Sequence, residues 1–459
     1  MLLDNGNPYR NGLPKTLQLD WDDFACGLSA GNDVALGRVA EWAVFAYMAA
    51  DCNLAAFMFD DLLEMKAVGS SESVHVLALF DGPLLTDSFF ARLNVDTKLS
   101  EDIVLRFNEL RTSEAATLTM ALQVASVYPA KHRLLLLGGH GSGWRGLLLD
   151  QNIGMRYRSE PGRLVLPGPG SDCDARLHAC LVRTQERLNR EIEKVDAAQS
   201  HYDVLGFDAC YMGNIEAIAH LSHLADLLVV SEDLVPGEGF AYRSILTNLL
   251  RNPAQSPLEL ATCIVGATSR FYQTVGASER QITLAALAAE QLTPFSQAFV
   301  RLVQALGPIA GEPASFATVQ NALEKSWAFG ATGTIDLKGF VLKLLENPLP
   351  PTAREAAGAV LDCWSKLVVA FTGGGTSETT NGLSVYAPLA KNFEIAYVES
   401  SNNLPLNFGI WAWFLGAYYL QLLGAEAPGN PLIQAFQRTM QDLAARGIYK
   451  PGDGAKSLS

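Results

Sequence analysis

The sequence predicts an α/β protein whose central sheet is mostly parallel and covered by helices on both faces. Three observations carry that expectation. The strand-like runs are apolar throughout instead of alternating, helix-like stretches separate them, and two of them end in glycine-containing loops of the kind that follow strands in open parallel sheets. The 459 residues, 49% hydrophobic and 18% charged, supply ample material for a core and exclude disorder as the main state. A chain of this length is expected to form two or three domains.

Taken in order, residues 42–48 form a short apolar run, and 53–65 carry helical spacing through Leu54, Phe57, Met58, Leu62 and Met65. Residues 73–80 (SVHVLALF) read as a strand closed by the turn pair Asp81-Gly82. A helix is expected over 115–127, stopped by Pro129, and a strand over 133–137 that ends in Gly138-Gly139. Residues 150–172, with Pro161-Gly162 and Pro167-Gly168-Pro169-Gly170, read as a long exposed loop, and 176–195 as an amphipathic helix rich in i,i+4 charge pairs. A strand at 204–207, a helix at 214–223 and a strand at 227–231 follow. Beyond about residue 280 the expectation is helices (284–306, 353–371) with two strand-like pieces at 382–386 and 393–398. The uncharged stretch ending at 410–423 is too short and too interrupted by Asn and Pro to cross a bilayer, and reads as a buried helix.

Composition narrows the function classes. With 34 Lys+Arg against 48 Asp+Glu the net charge is −14, so there is no basic field for a general nucleic-acid binder. The seven cysteines (Cys26, Cys52, Cys173, Cys180, Cys210, Cys263 and Cys363) form no CxxC pair, which argues against a disulfide framework or a structural zinc site. Cys173 and Cys180 bracket His178, but no fourth ligand accompanies them, and no metal is assigned. The first 23 residues carry Asp4, Arg10, Lys15 and Asp20 and lack an apolar leader core. The expectation is a cytoplasmic protein if the chain is complete, and a secreted one if a leader has been removed.

Two strand ends hold chemistry. One runs into Gly139-His140-Gly141-Ser142-Gly143-Trp144 and the other into Gly206-Phe207-Asp208-Ala209-Cys210-Tyr211-Met212-Gly213, just before a helix. If the two strands are neighbours, about 4.8 Å apart, an imidazole and a thiol can face each other across a substrate. A nearby imidazole or helix N-terminus lowers a thiol pKa, and the amides of Gly141 and Cys210 would be donors for a developing oxyanion. The residues alone leave a second reading open: a packing cysteine after an apolar strand and a plain loop histidine.

The paired motifs resemble the clostripain family of cysteine endopeptidases, which share the caspase-like α/β/α sandwich. Asn53-Leu54, the stretch Glu64-Met65-Lys66-Ala67-Val68-Gly69-Ser70, Ser231-Glu232-Asp233, Pro236-Gly237-Glu238-Gly239, Asp336-Leu337 and Gly382-Leu383-Ser384-Val385-Tyr386 extend the likeness over roughly 42–425. The resemblance implies His140 as general base and Cys210 as nucleophile, a dyad with no third member. It implies that Asp208 selects Arg, less often Lys, before the scissile bond, a choice that suits a carboxylate facing a guanidinium. The alternative for Asp208 is a cap on the following helix. Glu232, Asp233 and Glu238 are further candidates to line that pocket. Many family members mature by cutting themselves between the His and Cys segments, and here that loop offers Arg156, Arg158 and Arg163. No cofactor is required for the chemistry. Calcium is a candidate activator, with Asp60-Asp61 as oxygen donors in an acidic loop, although no defined calcium loop is present. Two departures stand out: Tyr211 where Leu is usual, and Gly138-Gly139 where bulkier residues often precede the His.

The expected organisation is an N-terminal extension or prosegment (1–35), a caspase-like peptidase domain with a mostly parallel sheet (36–280) and a helix-rich C-terminal accessory domain (281–459). The expected activity is an endopeptidase acting on peptides and proteins with Arg or Lys before the scissile bond, with no nucleic-acid partner and no membrane span. Two rivals are a non-catalytic scaffold binding a partner in the same cleft, which would need neither His140 nor Cys210, and a transpeptidase, betrayed by capture of an added amine.

Overall fold

The computed structural model describes residues 39–84, 86–107, 109–148, 201–274, 282–373, 380–401 and 404–423, with single positions at 434, 438, 441 and 445. The extension 1–35, the helix expected over 176–195, and Arg156, Arg158 and Arg163 lie outside the described residues.

The strands are β1 (Ala40–Ala49), β2 (Val74–Asp81), β3 (Ser88–Arg92), β4 (Ile103–Phe107), β5 (Ala130–Gly138), β6 (Tyr202–Asp208), β7 (Ala225–Val230), β8 (Leu284–Ala288), β9 (Ala328–Phe329), β10 (Thr334–Asp336), β11 (Val368–Thr372) and β12 (Ser384–Tyr386). Nine of them form one sheet in the order β11-β8-β7-β6-β5-β1-β2-β3-β4. The middle of that sheet, β2-β1-β5-β6-β7, is parallel, and both flanks continue antiparallel. β9, β10 and β12 make a small separate sheet.

The apolar runs are explained by burial on both faces. Phe45, Tyr47 and Ala49 of β1 join one core, while Trp42, Val44, Ala46 and Met48 join the other; Leu135 and Leu137 of β5 divide from Leu134 and Leu136 in the same way. The second core is covered by α1 (Ala55–Val68), α4 (Tyr242–Arg251) and α5 (Pro257–Thr274). The first is covered by α2 (Ala115–Ser126), α3 (Ile215–Leu221), α6 (Leu292–Gly311), α7 (Leu337–Leu345), α8 (Pro351–Leu367) and α10 (Ile410–Leu423), with α9 (Ile395–Ser401) beside α10. The uncharged stretch at 410–423 is thus a buried helix. Among the described residues no helix is long and apolar enough to cross a membrane.

The structure corrects the expected boundary at residue 280. β8 hydrogen-bonds to β7, β11 extends the same sheet, and one continuous core joins Phe45 to Tyr419. Three expected elements also change. Residues 284–288 are a strand ahead of α6, 368–372 are a strand after α8, and 393–398 contribute to helix α9, not to a strand. Asp60-Asp61 lie inside α1, not in a loop.

Candidate active site

The β5–β6 register brings the two motifs together. Gly138 stands opposite Asp208, so two further residues on each strand place His140 and Cys210 at the same level, beyond the carboxyl ends of neighbouring strands. The loops then touch. A Cβ on Gly141 would sit 2.3 Å from the Cys210 carbonyl oxygen and 3.1 Å from its nitrogen, so no larger residue fits without moving the Cys210 loop. Gly139 adopts φ +146, open to glycine, and its N–H donates to the Asp208 carbonyl at 3.2 Å. β1 lies on the other side of β5, where the strand order reverses, the usual position of a ligand crevice in an open parallel sheet.

From the segment after β1 comes a residue that the sequence reading did not assign a role. Asn53 Oδ1 lies 2.6 Å from His140 Nε2. An amide oxygen only accepts, so Nε2 carries the proton and Nδ1 is left as the basic nitrogen. The signal was present in Asn53-Leu54, two residues before α1 begins, but nothing in the spacing tied it to a histidine 87 positions away.

Cys210 is half-buried. Its Sγ donates to the Val235 carbonyl at 3.6 Å and accepts from the Val235 N–H at 3.4 Å, and it bonds no other described residue. Burial pushes the thiol up to about 11; the Val235 N–H opposes the shift, and the carboxylates of Asp208 and Asp233 add to it. Burial therefore favours the neutral thiol. The N–H groups of Gly141 and Cys210 donate to no other described residue. Tyr211, next in the chain, is held at φ +61 with its N–H on the Asp233 carbonyl at 3.0 Å, a conformation that costs a non-glycine residue about 1–3 kcal/mol.

Asp208 is 9% exposed and accepts from Phe240 N at 3.1 Å and from the Tyr242 hydroxyl at 2.8 Å, both through Oδ2. Oδ1 has no partner among the described residues. Capping of α3 falls instead to Asn214, whose Oδ1 accepts from Ala217 N. Asp233 is half-buried beside the thiol, its Oδ1 taking the Leu234 N–H at 2.8 Å, and Glu238 is half-buried in the turn that closes over Asp208. Glu232 does not line the cleft. It is fully buried and accepts from the N–H groups of Asn381 and Gly382, tying β7 to the segment before β12, with Asp336 as a close acidic neighbour.

The loop after His140 is anchored to the C-terminal third. Trp144 packs edge-on against Tyr386 and Tyr397, and buried Arg145 lies 4.9 Å from the Trp144 ring centre and pairs through Nε with Glu394 at 3.0 Å. Ser384 N donates to Gly213 O at 2.8 Å, which braces the Cys210 loop from the same side.

Buried carboxyls give the protein a pH signature. Burial raises Asp208 and Asp336 to about 6, and raises Asp61, Glu216 and Glu232 above the ordinary carboxylate range. Because the folded pKa exceeds the unfolded one, the stability that Asp208 and Asp336 contribute is complete below about pH 4 and is lost as the pH rises through about 6, and Asp61, Glu216 and Glu232 act in the same direction. Thermal unfolding at fixed ionic strength is expected to give a higher midpoint at about pH 5 than at about pH 8; the reverse order would contradict this assignment.

Among the described residues no group of three or more His, Cys, Asp or Glu is arranged to hold a metal ion. A model of the clostripain family matches residues 46–157 and 183–403. Among solved structures, a secreted C11 cysteine protease from Bacteroides thetaiotaomicron, in complex with an irreversible peptide inhibitor, superposes with a TM-score of 0.57 at 17% identity, over 81% of this chain and 99% of that one. An inactive zymogen C11 protease from Parabacteroides distasonis gives 0.56 at 18% identity, over 81% and 98%. At these identities the likeness concerns the fold, which is the caspase-like sandwich expected from the motifs. Comparison with curated proteins found no match.

Proposed function

The chain belongs to the clostripain family and is a cysteine protease; from that premise we propose that it is an endopeptidase cleaving after Arg, and less well after Lys, through Cys210 and His140. The observation that carries the reading is the contact of Gly141 with the Cys210 backbone, at a strand register that also sets the buried carboxylate of Asp208 two residues before the thiol.

In this mechanism the P1 guanidinium pairs with Asp208, whose Oδ1 is open to it. The thiol leaves the Val235 carbonyl and gives its proton to His140 Nδ1, and Sγ attacks the scissile carbonyl carbon. The oxygen gains negative charge and accepts from the N–H groups of Gly141 and Cys210. As the C–N bond breaks, the imidazolium protonates the leaving amine. Water, deprotonated by His140, then attacks the thioester, releasing the acid and restoring the thiol. Asp233 and Glu238 stand at the same cleft as candidates to contact the substrate. Self-cleavage at Arg156, Arg158 or Arg163 belongs to the same proposal.

The test is a matched set of fluorogenic peptides ending in Arg, Lys, Asp or Asn, with and without calcium. Cleavage after Arg above Lys, with Asp and Asn inert, is the expected pattern. Cleavage after Asp or Asn overturns the pocket, and silence across the set, even after limited trypsin treatment, overturns the endopeptidase reading. A positioning role for Asn53 makes a separate expectation. Asn53→Ala removes one neutral hydrogen bond from the histidine, so kcat should fall about tenfold with KM unchanged. Unchanged kcat would remove Asn53 from the mechanism.

A further inference from the structure

We propose that Asp61 is a second carboxylate of the specificity pocket, facing Asp208 so that one guanidinium bridges the two and Arg is favoured over Lys. The proposal rests on the endopeptidase reading and deepens it.

Asp61 projects from α1, the helix that begins just after Asn53, and is 5% exposed. Its Oδ2 lies 3.0 Å, and that of Asp208 2.5 Å, from the point that a Cβ on Gly239 would occupy. Gly239 itself adopts φ +59, so the turn that brings the two carboxylates together demands glycine both for its backbone and for space. Asp208 has hydrogen bonds through one oxygen only, and Asp61 makes no hydrogen bond and no ion pair with any described residue. Two nearly buried carboxylates turned toward each other with one of them unpartnered are costly unless a proton or a cation lies between them.

The surroundings leave that cation to be supplied from outside. Asp60 and Glu64 on α1 add negative charge to Asp61, Tyr242 of α4 and Tyr272 of α5 present neutral hydroxyls, and the 236–240 turn contributes backbone. The backbone N–H of Arg243 donates to Glu64, and its guanidinium acts on Glu64 and not on Asp61 or Asp208. The Tyr272 hydroxyl is engaged with the Gly239 carbonyl at 2.9 Å. A guanidinium spreads five N–H donors over a plane and can reach two carboxylates on opposite sides, whereas an ammonium is a single compact centre. In the empty pocket burial and the nearby Asp208 charge hold Asp61 protonated, and binding of a P1 cation releases that proton into solvent.

The test compares wild type with Asp61→Asn on peptides that differ only in Arg, Lys or citrulline before the scissile bond. The expected result is a loss of kcat/KM about tenfold larger for Arg than for Lys, no loss for citrulline, and an acid limb of the Arg profile displaced to lower pH, because binding no longer has to displace a proton from Asp61. Equal losses for Arg and Lys with an unmoved acid limb would overturn the proposal. A wild type that cleaves none of these peptides would instead bring down the endopeptidase reading on which it rests. Should Asp61→Asn not fold, calorimetry on the wild type with agmatine and cadaverine takes its place. Tighter binding of agmatine with proton release near pH 6 supports the bridge; equal affinities without proton release overturn it.

Discussion

Cys210→Ala abolishes peptide hydrolysis and leaves the fold intact. Removing a nucleophile that acts as a unit with its base costs about 10⁴-fold or more in rate, because the base has nothing to activate. The structural cost is small. The Cys210 sulfur is half-buried and makes weak hydrogen bonds only to the Val235 backbone among the described residues, so stability should change by about 1 kcal/mol or less. The same variant tests self-processing. Wild-type protein held under assay conditions should resolve by intact mass into two fragments cut between 150 and 172, while Cys210→Ala stays at the full 49.5 kDa. A wild type that remains whole while active would remove self-cleavage from the account without touching the dyad.

Asp208→Asn separates the pocket from the chemistry. Losing one partner of a desolvated charge pair costs about 2–5 kcal/mol, so kcat/KM for an Arg substrate should fall about 30- to 5,000-fold. Two accompanying effects distinguish this from general damage. The asparagine oxygen can still accept from Phe240 N and the Tyr242 hydroxyl, and the penalty on a buried ionised carboxylate is gone, so the thermal midpoint at about pH 8 should rise. Asp208 also helps to hold the Cys210 thiol high, so alkylation of Cys210 by iodoacetamide should become faster at a given pH. Equal losses on Arg and neutral substrates, or unchanged alkylation, would contradict the assigned position of Asp208.

How far the sequence carried the site follows from what its patterns encode. The parallel centre of the sheet was legible because strands buried on both faces are apolar throughout, as 42–48, 73–80 and 133–137 are. The flanking strands were not. β8 is LAALA, whose composition suits a helix as well as a strand, and β11 follows α8 with no turn residue between them. Those two strands are why the expected boundary at 280 fails, since pairing to β7 is a long-range fact that local spacing does not record. His140, between two glycines, and Cys210 stood out just beyond strand ends, the roles proposed for them came from the family resemblance, and the β5–β6 register sets them at one level. Glu232 was misplaced because its neighbour Asp233 does stand at the cleft: adjacent residues at a strand end face opposite ways, and one carboxylate turns inward to hold the 381–382 backbone. Asn53 and Asp61 were beyond reach, since the one meets His140 and the other nears Gly239 only when the segment from β1 through α1 packs on loops at least 87 residues away.

The central claim, that Cys210 is the nucleophile of a pocket selecting a basic P1 residue, is tested most directly by covalent capture. Full-length wild type is incubated with Arg-, Lys- and Asp-terminated acyloxymethyl ketone peptides, and the adduct is located by peptide mass spectrometry. The expected result is a single adduct on Cys210, formed with the Arg probe ahead of Lys, not with Asp, and lost in His140→Ala. An adduct on Cys52, Cys263 or Cys363, or equal labelling by the Asp probe, would contradict the account.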